Sequence, residues 1–385
     1  MSYLSTTDFA EDQKFVDRFR QTMRGDLELS WMDVAREPAS CRPQNERRGL
    51  TFRDLDVGSY GFTEMPERIR QNRSFAPRGA ALPPGLPDLQ AEVNRKSEVW
   101  AYNVEGYYEE AMTRQWNATT DIPWDEFHRT ELPEDIGKAY AQLLTFLTEV
   151  EMIATDVPAK WMGRLNADFF EVKNFIATQA MDEARHTEVF RKRALSTGYG
   201  LMQASPHNEF NLKFLRDADS FAEASLALHL QAEGMVLTLF RFSEYISPTE
   251  GDKKLFRLVM QDEARHVGYG MQHLKWVLDH FPERRELIHH HLDEAENFVF
   301  GGGYATEVVE PFIILSGKGL KKEQIAEGVR ITNAFQLKQI EEYFERLAKC
   351  GLPERRERSR LWRLVDLNRE AIASLAPSAT SIRQA

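Results

Sequence analysis

The sequence holds only two cysteines, Cys41 and Cys350, and they form no C-x-x-C pair. Iron–sulfur clusters and structural zinc sites, which need grouped thiolates, are thereby excluded. So few cysteines, with no apolar N-terminal segment, lead to an expectation of a cytoplasmic protein. No run of about 18 apolar residues occurs, so no membrane span is expected. A basic surplus is also missing. Lys and Arg number 49 against 60 Asp and Glu, for a net charge of −11, which argues against nucleic acid as a partner. Gly301-Gly302-Gly303 lacks the lysine and the strand context of a phosphate loop. Neither a flavin nor a nicotinamide is expected on this chain.

What is present is one phrase written twice. Asp182-Glu183-Ala184-Arg185-His186 returns as Asp262-Glu263-Ala264-Arg265-His266. Glu and His three apart lie on one helical face, a turn from each other. Two such faces, each joined by one Glu from a neighbouring helix, make a six-ligand cage for two metal ions.

Taken in order, residues 1–96 read as an irregular arm. It has a short helix near Glu11–Arg24 and a proline-rich end at 81–87, and is expected to wrap the surface or dock a partner. Residues 97–280 carry the bundle. An aromatic helix over Ser97–Trp116 breaks at 121–124. Long helices are then expected from Glu134 to about Trp161, over Ala167–Ser196, over Asp219–Tyr245, and from Ser247 to about His280. Each half is a helix with an embedded Glu followed by a helix with the repeated phrase, a duplicated pair that implies a four-helix bundle. Residues 281–385 add helices near 283–298, 306–315, 322–349 and 354–374, which pack outside the bundle or build a homodimer contact. His289, His290 and His291 point in different directions along a helix and are expected at the surface.

The apolar stripe chooses the lone ligands. On the first long helix Glu151 lies among Leu144, Leu147 and Ala154, where an ionised carboxylate is costly unless it binds a cation; Glu149 is the alternative. On the fourth, Glu233 lies among Leu226, Leu230, Val236, Leu237 and Phe240. The ligand set is therefore Glu151, Glu183 and His186 for one metal and Glu233, Glu263 and His266 for the other, with Glu183 and Glu263 as bridges. Four carboxylates and two imidazoles suit iron, or manganese, better than zinc or copper. Asp182 and Asp262 are placed to accept the remaining ring N–H of the ligand histidines, and Arg185 and Arg265 to pair with those aspartates. A mostly apolar pocket is expected between the first and fourth helices, lined by Leu147, Thr155, Phe190, Leu237 and Ala180. Trp100, Tyr107, Tyr108 and Trp116 are expected in the core, or as carriers of electrons or protons.

The paired motifs and lone glutamates resemble the ferritin-like superfamily of di-iron carboxylate oxygenases. Within it the likeness over about residues 97–280 is to hydroxylase α-subunits of bacterial multicomponent monooxygenases and to small subunits of ribonucleotide reductase. The resemblance implies an all-α, ferritin-like four-helix bundle with two irons, manganese being the other candidate. It implies O2 as co-substrate, a small organic substrate that is hydroxylated or N-oxygenated, and an external electron donor such as a reductase or ferredoxin. The chain departs from these relatives at two positions. Phe190 stands where the reductase subunit has its radical tyrosine. Leu237 stands where the hydroxylases have a threonine, with Thr238 one step off the face. Ferritins are shorter single bundles, which leaves metal storage the weakest reading. A radical-generating or oxidase-type subunit is the alternative to an oxygenase.

Overall fold

The computed structural model describes residues 8–33, 41–55, 80–81, 84, 95–165, 168–301 and 305–375. Among these the regular structure is entirely helical. The Gly301–Gly303 stretch and the proline-rich end of the arm lie mostly outside the described residues.

Helix α1 (Gln13–Met23) begins where the Asp12 carboxylate accepts hydrogen bonds from the backbone N–H of Lys14 and Phe15. The aromatic helix expected over 97–116 is instead two pieces, α2 (Lys96–Val99) and α3 (Val104–Thr113). Between them Asn103 adopts a left-handed φ of 58°, a conformation asparagine tolerates and a continuous helix does not. After α4 (Trp124–Arg129) come the long α5 (Glu134–Met162) and α6 (Phe170–Leu195). Helix α7 (Pro206–Asp217) was not foreseen. Its start was legible, since Ser205 caps the N–H of Asn208 and Pro206 occupies the first turn.

The fourth long helix runs from α8 (Phe221–Ser225) through a π-helical segment, Leu226–Ala232, into α9 (Glu233–Ile246). Helix α10 (Glu250–His280) is opened by Thr249, which accepts from the N–H of Asp252. Beyond it lie α11 (Arg285–Gly301), α12 (Thr306–Gly317), α13 (Lys322–Lys349), α14 (Arg355–Arg358) and α15 (Trp362–Leu375). The last two replace one expected helix, split at Ser359, whose backbone is extended.

Helix α5 packs on α6 and α9 on α10, while α12 and α13 lie outside against α5 and α9 respectively. Helices α12 and α13 cross at glycines. A Cβ on Gly317 or Gly328 would collide with the carbonyl oxygen of Gln324 or Ile313, so only glycine permits this approach.

Two separate apolar clusters fill the bundle, and all four long helices pass from one to the other. On α5, Tyr140, Leu144 and Leu147 belong to one cluster and Ala154, Val157 and Trp161 to the other. On α10 the change falls between Val259 and Tyr269. The residues at the crossing level are polar and buried. Each large side chain in the flanking clusters contributes about 1.5–3 kcal/mol on burial, which offsets the cost of enclosing that polar layer.

Candidate metal centre

The crossing level contains all six sequence-designated ligands. Glu151, Glu183, His186, Glu233, Glu263 and His266 are buried. Their ligand-capable atoms gather into two sets, Glu151–Glu183–His186–Glu263 and Glu183–Glu233–Glu263–His266, with the atoms of each set within 4.8 Å of one another. Glu183 and Glu263 belong to both sets, so each carboxylate is common to the two groups. The imidazole centroids are 6.4 Å apart.

Many of these atoms have no protein partner. Glu151 Oε1, Glu183 Oε1, Glu233 Oε2, both Glu263 oxygens and His266 Nδ1 are buried without a hydrogen bond. His266 Nδ1 and Glu183 Oε1 lie 2.9 Å apart yet lack hydrogen-bonding geometry. Such orphaned atoms are costly to bury, and their convergence fits a pair of cations.

The protonation equilibria are strained accordingly. Burial pushes the carboxyls of Glu151 and Glu233 well above the usual range. Burial acts on Glu183 in the same direction, but His266 and His186 beside it hold it well below. Both histidines are pulled up by surrounding carboxylates against the opposing effect of burial. All of these groups are in competition for protons that a cation would displace.

Behind the histidines the aspartates are crossed. His186 Nε2 lies 3.2 Å from Oδ2 of Asp262, and His266 Nε2 lies 3.4 Å from Oδ2 of Asp182. Each imidazole is thus held by the aspartate of the other motif, with its Nδ1 turned toward the glutamates. Arg185 and Arg265 each bond both aspartates, closing a buried ring of two acids and two guanidiniums. Trp116 joins it, donating from Nε1 to Asp262 Oδ2 at 2.6 Å, with the Arg185 guanidinium 4.7 Å over its ring.

The two outer carboxylates are supported differently. Gln179 Nε2 donates to Glu233 Oε1 at 2.8 Å. The Gln179 oxygen must then accept from His229 Nε2, 3.0 Å away, and His229 Nδ1 from the Ser225 hydroxyl at 2.8 Å. This chain fixes the tautomer of His229, which burial keeps neutral by lowering its pKa to about 3. His229 lies in the π-helical segment and packs against Gly270, where a Cβ would collide with it. Among the described residues Glu151 has no matching amide, and its Oε2 lies 3.6 Å from His186 Nδ1. Neither Gln179 nor His229 was singled out from sequence. The available signal was their spacing, Gln179 one turn before Glu183 and His229 one turn before Glu233.

Other expectations need correction. Glu149 stands outside the cluster and accepts from Asn208 Nδ2 at 2.8 Å. A cavity of about 340 Å³ does lie between the first and fourth long helices, but Phe146, Val150 and Val236 line it rather than Leu147, Thr155, Phe190, Leu237 or Ala180. Leu147 and Phe190 are part of an apolar cluster, Phe190 packing on Phe240 and Phe256. Thr155 bonds back to the Glu151 carbonyl, and Leu237 and Ala180 are half-buried. The Thr238 hydroxyl donates outward to Glu342 at 2.6 Å. Of the three consecutive histidines, His290 is exposed and His291 half-buried, but His289 is buried and bonds Glu354 at 3.1 Å. Packing of the C-terminal helices on that face covers it.

No protein-family model matches the sequence, and no curated protein does. Among solved structures the chain is similar to R2-like ligand-binding oxidases. One variant with an anaerobically reconstituted Mn/Fe cofactor aligns at TM-score 0.51 and 19% identity, over 65% of this chain and 94% of that one. A second, with an aerobically reconstituted Mn/Fe cofactor, gives the same values. A third, with an Fe/Fe cofactor, aligns at TM-score 0.50 and 18% identity over the same shares. The likeness establishes an all-α, ferritin-like fold.

Proposed function

We propose that this chain is an O2-dependent di-metal carboxylate oxidoreductase acting on a small organic molecule. Two irons, or iron with manganese as in the solved neighbours, would be held by Glu151, Glu183, His186, Glu233, Glu263 and His266. The observation that carries the reading is the pair of ligand sets sharing Glu183 and Glu263, lined with orphaned buried atoms. When bound, the metal pair supplies the redox chemistry for reducing O2. The residues do the rest. Glu183 and Glu263 would each serve both metals, the crossed aspartates hold each histidine with Nδ1 inward, and the two apolar clusters exclude water. Electrons come from an external donor. Trp116, bonded through Asp262 to His186, is the aromatic group best placed to receive them.

Within this class we favour oxygen insertion, as C-hydroxylation or N-oxygenation, over an oxidase that leaves oxygen out of the product. Phe190 in the aromatic packing with Phe240 and Phe256 offers no phenol for a radical, which supports that choice. The test is anaerobic loading with ferrous iron, metal counting, then exposure to labelled O2 with a chemical reductant and candidate substrates. Two metals per chain and metal-dependent O2 uptake are expected, with label in the product. Uptake without label selects the oxidase reading. A chain that binds no iron under these conditions ends the proposal.

A further inference from the structure

The 340 Å³ cavity has a wall of unusual chemistry. It lies between α5, α7, the π-helical segment with α9, and the outer helices α12 and α13. Among the described residues no Asp, Glu, Lys or Arg lines it, and His207 is the one ordinarily titratable side chain there. Its polar groups are instead five carboxamides, Asn208, Asn211, Gln231, Gln336 and Gln339, set in an apolar surround.

Several of these amides are already engaged. Asn208 Nδ2 donates to Glu149, Gln339 Nε2 to the Met235 carbonyl, and Asn211 Nδ2 to His207 Nε2 at 3.3 Å. Two buried atoms remain without a partner, Gln231 Nε2 and Asn211 Oδ1. Gln231 is only 1% exposed, so water does not satisfy it in bulk. One is a donor and the other an acceptor. An ionised ligand would lose its hydration here with no opposite charge to meet it. A neutral ligand with a head that both accepts and donates would satisfy both atoms while its apolar body fills the remaining volume.

We propose that this cavity binds a neutral organic molecule with an apolar body and a single hydroxyl or primary carboxamide head, which accepts from Gln231 and donates to Asn211. The wall shares helices with both outer metal ligands, since Val150 precedes Glu151 and Ala232 precedes Glu233. That this molecule is the substrate rests on the di-metal reading above; that the cavity binds it does not.

The experiment is calorimetric titration of the metal-free full-length protein with four eight-carbon probes: octanamide, 1-octanol, octanoate and octylammonium. The two neutral probes are expected to bind, and the two ions at least about tenfold more weakly. Gln231→Leu and, separately, Asn211→Ala are each expected to weaken octanamide about tenfold, the scale of one lost hydrogen bond to a buried partner. Val236→Phe, which fills the cavity, is expected to abolish binding of all probes. Octanoate or octylammonium binding as tightly as octanamide would overturn the proposal. So would unchanged octanamide affinity in whichever of the Gln231 or Asn211 variants folds. Because no metal is present, a chain that binds octanamide yet takes up no iron would defeat the catalytic reading and leave this site standing.

Discussion

Glu149 offers the sharpest measurement, because it separates a buried acid from a metal ligand. Its carboxyl is pushed up to about 7 from an ordinary 4.5, chiefly by burial and further by Glu209. The sign follows from linkage. Below pH 4.5 the group is protonated both folded and unfolded, so it costs nothing. As pH rises from 4.5 to about 7 the unfolded chain ionises it and the folded chain does not, and stability is lost; above 7 the loss is constant. The whole interval corresponds to roughly 3 kcal/mol, and screening at a half-buried site leaves about 1–2 kcal/mol. Glu149→Gln keeps an oxygen for Asn208 and removes the titration. In urea denaturation of the metal-free protein, the variant is expected to match wild type near pH 4.5 and exceed it by about 1–2 kcal/mol at pH 7.5. It is also expected to retain two metals per chain. A stability difference independent of pH would refute the account of burial. Loss of a metal would move the ligand from Glu151 to Glu149.

Three further outcomes follow from the centre. His266→Ala is expected to leave one metal per chain, measured by elemental analysis after anaerobic loading, and retention of two would remove His266 from the ligand set. Gln179→Leu strands the His229 N–H and frees Glu233, so the metal-free protein should lose about 2–4 kcal/mol. In the same variant a stepwise cobalt titration should show one of two binding steps weakened, and two unaltered steps would contradict the support assigned to Glu233. Asp262→Asn takes charge from a ring that includes both buried arginines and should destabilise by about 3–5 kcal/mol. Denaturation within about 1 kcal/mol of wild type would mean that the ring is not held by charge.

The helical class and the convergence of the six side chains were legible because Glu-x-x-His fixes a face and the repetition fixes two. Glu151 could be preferred to Glu149 because apolar neighbours one turn away mark the inner stripe. The cavity was harder to read. Its wall lies one residue around from the predicted one, Phe146 for Leu147 and Val236 for Leu237, since Leu147 is taken up in the apolar cluster and the cavity lies toward α7, α12 and α13. Nothing in a 3.6-residue period announces the π-helical segment that carries His229 and Gln231. Trp116 was placed among the core aromatics, but its hydrogen bond to Asp262 spans 146 positions and depends on tertiary packing.

The crossed aspartates have a consequence for how the molecule comes together. The partners are 76 and 84 positions apart, so neither copy of the duplicated phrase supplies the aspartate that meets Nε2 of its own imidazole. A fragment ending after α6 would carry His186 without the aspartate that meets its Nε2. The buried cluster is therefore completed late, when α6 and α10 meet.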